Sequence, residues 1–354
     1  MMPFSMIMTI KFFGRIDESV IHKPYKLDAK DRKIISFLLE DCRMPLTRIA
    51  KSVRLSRDAV EYRIRKLCRD RIITGFVPLL QLKNLGFNKY HTFFLLNEKK
   101  KERQKQLFSY LEKHPNVRSV MEYSGRWDIE FVIVAKNVYS YETAINDIEN
   151  RFSDVIMDKK RLPIIWNYHS VHLPYAFYKK FGEPLITNKV QKEVKIDKND
   201  IRILEMLCRN ARLSTYKISK KVGLSPDAIT YRINKMKDAG IILLFTAVLN
   251  LSGLGYQWYT LVLRIETMDK RTLSRFREFV SRHDYIIRAV KTLGVDDIMI
   301  YIVTDSNNAF HATIKSIKHE FGDIIDTYRI YPGYKEHFYI PIPRVVSEKY
   351  YSRG

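Results

Sequence analysis

Cysteine is scarce: Cys42, Cys68 and Cys208 are the three in 354 residues, odd in number, far apart and without a CxxC pair. That spacing argues against a disulfide framework and a cysteine-based zinc site, and it fits a reducing, cytoplasmic location. No apolar run approaches the roughly 18 residues that a membrane span needs. The first thirteen residues, MMPFSMIMTIKFF, hold their lysine near the end and lack a small-residue cleavage site, so no signal peptide is expected, and Met6 or Met8 could serve as initiator. A Walker loop, GxSxG, HExxH and a paired-carboxylate signature are missing, and His91, His114, His169, His172 and His283 are scattered. The chain therefore reads as no enzyme, with no cofactor and no metal. Acidic residues are also short: 39 Asp+Glu against 62 Lys+Arg leave a net charge of +23. So strong a balance favours an anionic partner such as nucleic acid.

What the chain has is a repeat. A shift of 169 residues places Asp28, Asp31, Ile34 and Leu38 on Asp197, Asp200, Ile203 and Leu207. The same shift carries Leu55-Ser56 onto Leu224-Ser225, Tyr62-Arg63-Ile64 onto Tyr231-Arg232-Ile233, and later Gly125, Asp128 and Phe152 onto Gly294, Asp297 and Phe321. One offset held over more than a hundred positions is a duplication, and its period is too long for a solenoid unit. Pro174, Gly182 and Pro184 punctuate the boundary at about 174–195.

Each copy opens with three short helices. Ile34, Ile35, Leu38 and Leu39 make one apolar stripe, and PLTRIAKSV makes a short second helix. Ser56 then caps a third helix whose Val60, Ile64 and Leu67 point inward; the second copy has Ser225 as cap, Pro226 at the first helical position, and Ile229, Ile233 and Met236 inward. This is the pattern of a helix-turn-helix, whose third helix enters the DNA major groove. The outer face then carries Arg57, Asp58, Glu61, Tyr62 and Arg65 beside Ser56, with Arg63 and Lys66 flanking it within reach of phosphates. In the second copy the matching set is Ser225, Asp227, Thr230, Tyr231, Arg232, Asn234 and Lys235. The bland alternative is a solvated helix face, which two copies in a strongly basic chain make less favoured.

The remainder of each copy reads β-α-β-β-α-β. YHTFFLLN, Val117 to Tyr123, DIEFVIVA and about 155–172 are strands, and Tyr141, Ile145, Ile148 and Phe152 stripe the second helix. That order is ferredoxin-like, with helices on one sheet face only, so a second sheet is expected to cover the other.

At this point the chain resembles the leucine-responsive regulator family (Lrp/AsnC). The segments that carry the resemblance are LDAKDRKIISFLLEDCRMPLTRIAKSVRLSRDAVEYRIRKL and IDKNDIRILEMLCRNARLSTYKISKKVGLSPDAITYRINKMKDAGII, followed by a Gly-x-x-Asp turn in each copy. Two departures stand out: the chain has two copies where the family usually has one, and Arg71 replaces the glycine found at Gly240. The resemblance implies pairing through the sandwich sheets, larger assemblies, and small effectors, typically amino acids, near the Gly-x-x-Asp turn. The residues there would be Gly125, Trp127 and Asp128, and Gly294, Asp296 and Asp297.

The reading is thus an α+β chain: two copies of a three-helix (winged) helix-turn-helix followed by a ferredoxin-like βαββαβ sandwich domain. Its expected divisions are an N-terminal extension (1–26), helix-turn-helix domains at 27–75 and 196–244, effector and oligomerisation domains at 76–173 and 245–354, and a linker at 174–195. The function expected is a sequence-specific double-stranded DNA-binding transcription regulator, an internal pseudo-dimer that reads two unlike half-sites, with a homo-oligomer and an amino-acid or other small effector as further partners. A non-specific nucleoid protein is the alternative, and a siroheme-decarboxylase-like enzyme a more distant one.

Overall fold

The computed structural model describes residues 15–18, 23–171, 173–178 and 195–351. The proposed start methionines, His172 and most of the linker lie outside the described residues. Among the described residues no helix is long and apolar enough to cross a membrane.

The first helical unit is α1 (Ala29–Glu40), α2 (Leu46–Val53) and α3 (Arg57–Arg69). Asp28 caps α1 by accepting from the Asp31 N–H, and Ser56 caps α3 by accepting from the Ala59 N–H. These bonds satisfy donors that a helix start leaves without a partner. Val60, Ile64 and Leu67 are buried against Ile34, Ile35 and Leu38, as the stripes require. β1 (Ile73–Leu80) follows, and then the sandwich: β2 (Asn88–Leu96), α4 (Lys101–Lys113), β3 (Val117–Tyr123), β4 (Ile129–Ala135), α5 (Val138–Phe152) and β5 (Ile156–Ser170). A short α6 (Tyr175–Tyr178) leads toward the second copy.

The second copy repeats the order with α7 (Lys198–Arg209), α8 (Thr215–Val222), α9 (Pro226–Asp238), β6 (Ile242–Leu249), β7 (Gln257–Ile265), α10 (Lys270–Arg282), β8 (Ile286–Thr292), β9 (Ile298–Thr304), α11 (Asn307–Phe321) and β10 (Ile325–Tyr339), and α12 (Arg344–Tyr351) closes the chain. The exchange of Gly240 for Arg71 does not change how the recognition helix ends. Arg71 takes φ 56, the left-handed conformation that Gly240 takes at φ 63. The Ile72 and Ile241 N–H groups then donate to the Leu67 and Met236 carbonyls in the same way.

Each sandwich sheet has the ferredoxin order, β3-β4-β2-β5 and β8-β9-β7-β10. The expected cover for the bare sheet face is there, with joined edges: the two sheets close into one barrel through β5–β8 and β10–β3. Strand length makes this possible. β5 pairs with β2 over Ile156 to Pro163 and then with β8 over Ile164 to Ser170. β10 likewise pairs with β7 as far as Gly333 and then with β3 as far as Tyr339. Closure leaves neither sandwich sheet with a free edge. The helices lie outside, where Tyr141, Ile145, Ile148 and Phe152 pack on Phe94 and Phe131, and Ile317 and Phe321 pack with Phe276. Each such buried side chain contributes about 1.5–3 kcal/mol.

The two helical units do not hang free. β1 and β6 pair antiparallel from Ile73↔Leu249 to Leu80↔Ile242 and form a two-stranded ribbon across the mouth of the barrel. The N-terminal residues are seated as well: Ile16 is fully buried, and Arg15 pairs with Glu336 at 2.7 Å. At the other end Tyr351 donates to Glu205 at 2.7 Å, tying α12 to α7.

Candidate functional site

Most, but not all, of the residues expected on the outer faces of the two third helices are exposed. Ser56, Arg57, Asp58, Tyr62, Arg65 and Lys66 are exposed on α3, as are Ser225, Asp227, Thr230, Tyr231 and Asn234 on α9. Tyr62 and Tyr231 are 63% and 71% exposed, large aromatic rings with no packing reason to face water. The two faces differ in charge. On α3, Arg57, Glu61 and Arg65 form an ion-pair ladder at i,i+4 spacing, Arg57–Glu61 at 3.6 Å and Arg65–Glu61 at 2.5 Å. On α9 the matching positions are Pro226, Thr230 and Asn234, and Thr230 donates to the Pro226 carbonyl.

Arg63 and Arg232 are placed differently from the sequence expectation. Arg63 donates to Asp28 and Asp31, each at 2.7 Å, and Arg232 donates to Asp197 at 2.7 Å and Asp200 at 2.8 Å. Both arginines thus clamp the third helix to the cap of the first. Burial would raise the Asp28 and Asp197 carboxyls, but the Asp31 and Asp200 N–H groups and the two arginines outweigh it and hold both below the ordinary value. Lys235 turns the same way, donating to the Lys195 carbonyl at 2.7 Å, whereas Lys66 lies over the Tyr25 ring.

The Gly-x-x-Asp turns are built into the fold. Gly125 and Gly294 adopt φ 152 and 135. Asp128 accepts from the Leu96 N–H at 2.5 Å and Asp297 from the Ile265 N–H at 2.9 Å. Trp127 is buried beside Phe93, and Asp296 is buried against Lys160 and Arg329. The open parts of the two turns are Ser124 to Arg126 and Leu293 to Val295.

Three of the histidines weighed as catalytic candidates have clear structural settings. His114 and His283 end α4 and α10, where each Nδ1 accepts from the N–H two residues on, at 3.2 Å. His91 lies inside the barrel against Glu130, which also accepts from Tyr123 at 2.6 Å and Tyr301 at 3.1 Å. Burial outweighs the attraction of Glu130 and lowers the His91 pKa. Burial opposes the Glu130 charge, but His91 and the two tyrosines hold that carboxyl below its usual range.

This cluster borders a cavity of about 180 Å³ between the inner barrel wall and the β1–β6 ribbon. Lys89, Arg118 and Arg288 also line it. This group was not among the residues expected from the sequence. The available signal was charge inside apolar strands, such as Glu130 in DIEFVIVA and Lys89 before YHTFFLL, because strand alternation sends such residues to an inner face.

Known proteins resemble the chain at two levels. The family model for the AsnC-type helix-turn-helix domain matches residues 27–67, and that for winged helix-turn-helix DNA-binding matches residues 196–242. The HTH-type transcriptional regulator FL11 of Pyrococcus horikoshii is 32% identical over 111 residues, 31% of this chain and 72% of that protein. Transcriptional regulator AzlB of Bacillus subtilis is 29% identical over 118 residues, 33% of this chain and 75% of that protein. Among solved structures the siroheme decarboxylase NirDL superposes with a TM-score of 0.60 at 12% identity, covering 92% of this chain and 99% of that one. The same enzyme is also known in co-complex with an iron-uroporphyrin III analogue.

The NirDL likeness overturns the expectation that the chain is no enzyme. Nearly the whole architecture, both copies included, is one that an enzyme uses, and the missing catalytic signatures excluded only the reactions those signatures serve. The recognition-helix segments and the regulators that match them establish the lineage: the chain belongs to the Lrp/AsnC family, in a tandem form with two copies on one chain.

Proposed function

We propose that the chain is a sequence-specific double-stranded DNA-binding transcription regulator that acts in the cytoplasm and reads two unlike half-sites through its own two recognition helices. The observation that carries this reading is the pair α3 and α9, joined through one ribbon, capped alike and both exposing a tyrosine, yet unlike at Arg57/Pro226, Glu61/Thr230 and Arg65/Asn234. Base edges are read by such outward side chains, and phosphate contacts set position. The candidate contact residues are Ser56, Arg57, Asp58, Glu61, Tyr62, Arg65 and Lys66 on one helix, and Ser225, Asp227, Thr230, Tyr231 and Asn234 on the other. Arg63, Arg232 and Lys235 hold those helices in place. An amino-acid effector at the exposed parts of the Gly-x-x-Asp turns and assembly of several chains belong to the same proposal, supported by the family.

The test is selection of binding sites from random DNA, followed by anisotropy titrations at two salt concentrations. An asymmetric consensus whose preference over scrambled DNA survives higher salt supports the reading. A perfect palindrome overturns the unlike half-sites, and equal, salt-labile binding to all sequences overturns the specific regulator.

One observation favours a second reading, activity on a carboxylated tetrapyrrole: the superposition on NirDL spans both copies. Release of carbon dioxide from siroheme by the purified chain would support it, and intact siroheme after incubation would remove it.

A further inference from the structure

The duplication produced two copies of nearly everything except the polar lining of the barrel interior. Lys89, His91, Arg118, Tyr123 and Glu130 of the first copy correspond, at the shift of 169, to Trp258, Thr260, Ile287, Thr292 and Met299. In the other direction Arg288, Tyr301 and Glu336 correspond to Ser119, Val132 and Asn167. Each of these ionisable groups therefore occurs once, and groups from both copies meet around one cavity. A barrel made from two identical chains would hold two equal half-sets.

The charges inside are not balanced locally. Glu336 is taken by Arg15, and Glu130 accepts from His91 and two tyrosines. Among the described residues no carboxylate pairs with Lys89, Arg118 or Arg288. Arg118 is 5% exposed; its Nη2 donates to the Tyr339 hydroxyl, while its Nη1 has no partner. The Nε2 of His91, 2% exposed, also has none. Burial and then the nearby Arg288 and Arg118 push the Lys89 ammonium well below its usual pKa. Three crowded cations and two unsatisfied buried nitrogens are costly unless an anion completes them. The space of about 180 Å³ is larger than a single ion needs, since an engineered cavity of roughly 150 Å³ takes benzene.

We propose that this cavity is a binding site, one per chain, for a small polycarboxylate held by Arg118, Arg288 and Lys89. Planar guanidinium groups match carboxylates in pairs. The far wall of the cavity is the β1–β6 ribbon, so the ligand touches the element that joins the two helical units. What the ligand regulates rests on the DNA-binding reading; whether it binds does not.

The experiment is calorimetric titration of the full chain, free of DNA, at constant ionic strength, with citrate as the probe, acetate as the monocarboxylate control and uroporphyrin III as a large polycarboxylate. Saturable citrate binding at one per chain, weakened at least tenfold by Arg118→Met and by Arg288→Met and unchanged by the surface substitution Lys99→Ala, supports the site. Uroporphyrin is too large for about 180 Å³, so its binding in place of citrate would overturn the small ligand and favour the tetrapyrrole reading. Lys89→Met supplies a readout that survives any folding failure of the arginine variants: without ligand it should melt higher than the parent, and citrate should no longer raise its melting temperature. Binding of neither polycarboxylate, two per chain, or citrate affinity indifferent to these substitutions would overturn the proposal.

Discussion

Arg43 and Arg212, equivalent residues of the two copies, reach across to each other's units. Arg43 donates to the Leu213 carbonyl at 2.8 Å and also to that of Ala211; Arg212 donates to the Cys42 carbonyl at 2.6 Å. Each guanidinium also lies over a phenylalanine, Arg43 over Phe245 and Arg212 over Phe76, at 5.3 Å from the ring centre. The contact reinforces the β1–β6 ribbon with charge-assisted bonds. Arg43→Ala or Arg212→Ala should each cost about 1.5–3 kcal/mol, with a double-mutant cycle showing coupling, because each guanidinium grips carbonyls beside the other and the two like charges repel. Urea unfolding checks this.

The left-handed arginines give a stability test of opposite sign. Arg54 and Arg71 sit at φ 53 and 56 where the second copy has Gly223 and Gly240. Glycine removes the clash of Cβ in that conformation. Arg71→Gly and Arg54→Gly should therefore raise stability by about 0.5–1 kcal/mol each, and Gly240→Ala should lower it by a similar amount. Thermal midpoints decide, and a drop in both glycine variants would contradict the strain argument.

Substitutions on α3 should separate reading from holding. Arg65→Ala should relax base preference at one half-site and leave the other unchanged in a binding-site selection. Glu61→Gln, which frees Arg57 and Arg65 from their shared partner, should strengthen binding to scrambled DNA and steepen its salt dependence. Arg63→Ala should instead lower the melting temperature, since it leaves the partly buried Asp31 without its arginine.

Acid should destabilise the barrel before most carboxylates titrate. Burial pushes His169 down from 6.5 to about 4, opposed only by a hydrogen bond with the Ile286 backbone. The imidazole is neutral when folded, whereas the unfolded chain takes up a proton near pH 6.5, so the unfolded state binds more protons between these values. Stability is full above pH 6.5, falls as pH drops toward 4, and His169 alone accounts for roughly 3 kcal/mol of that fall. Urea midpoints at pH 7.5, 5.5 and 4.5 should show a smaller drop in His169→Leu. An equal drop would place the effect on other groups, of which buried His91 and His114 shift the same way.

Local pattern made the capped helices, the order of each sandwich and the duplication readable. Ser56 and Ser225 cap because a side-chain acceptor beside free N–H groups is a local matter. The ribbon was hidden because ITGFVPLL and ILLFTAVL are almost wholly apolar and give no alternation, and their partners lie some 170 residues apart in the chain. The clamp by Arg63 was hidden because helix periodicity gives direction without showing what stands opposite. The interior cluster was hidden because its residues are the ones at which the two copies differ. Tyr62 and Tyr231 mark the repeat by identity, whereas Lys89 stands against Trp258 and Glu130 against Met299.

The barrel closes within a single chain, and that changes its mass action. A barrel assembled from two subunits dissolves on dilution, and its occupancy of any target depends on subunit concentration through that equilibrium. Here the two sheets are covalently tethered, so each presents the other with a high effective concentration however few molecules a cell contains. The unit carrying both recognition helices is therefore complete as soon as one polypeptide has folded. Its concentration rises in direct proportion to synthesis.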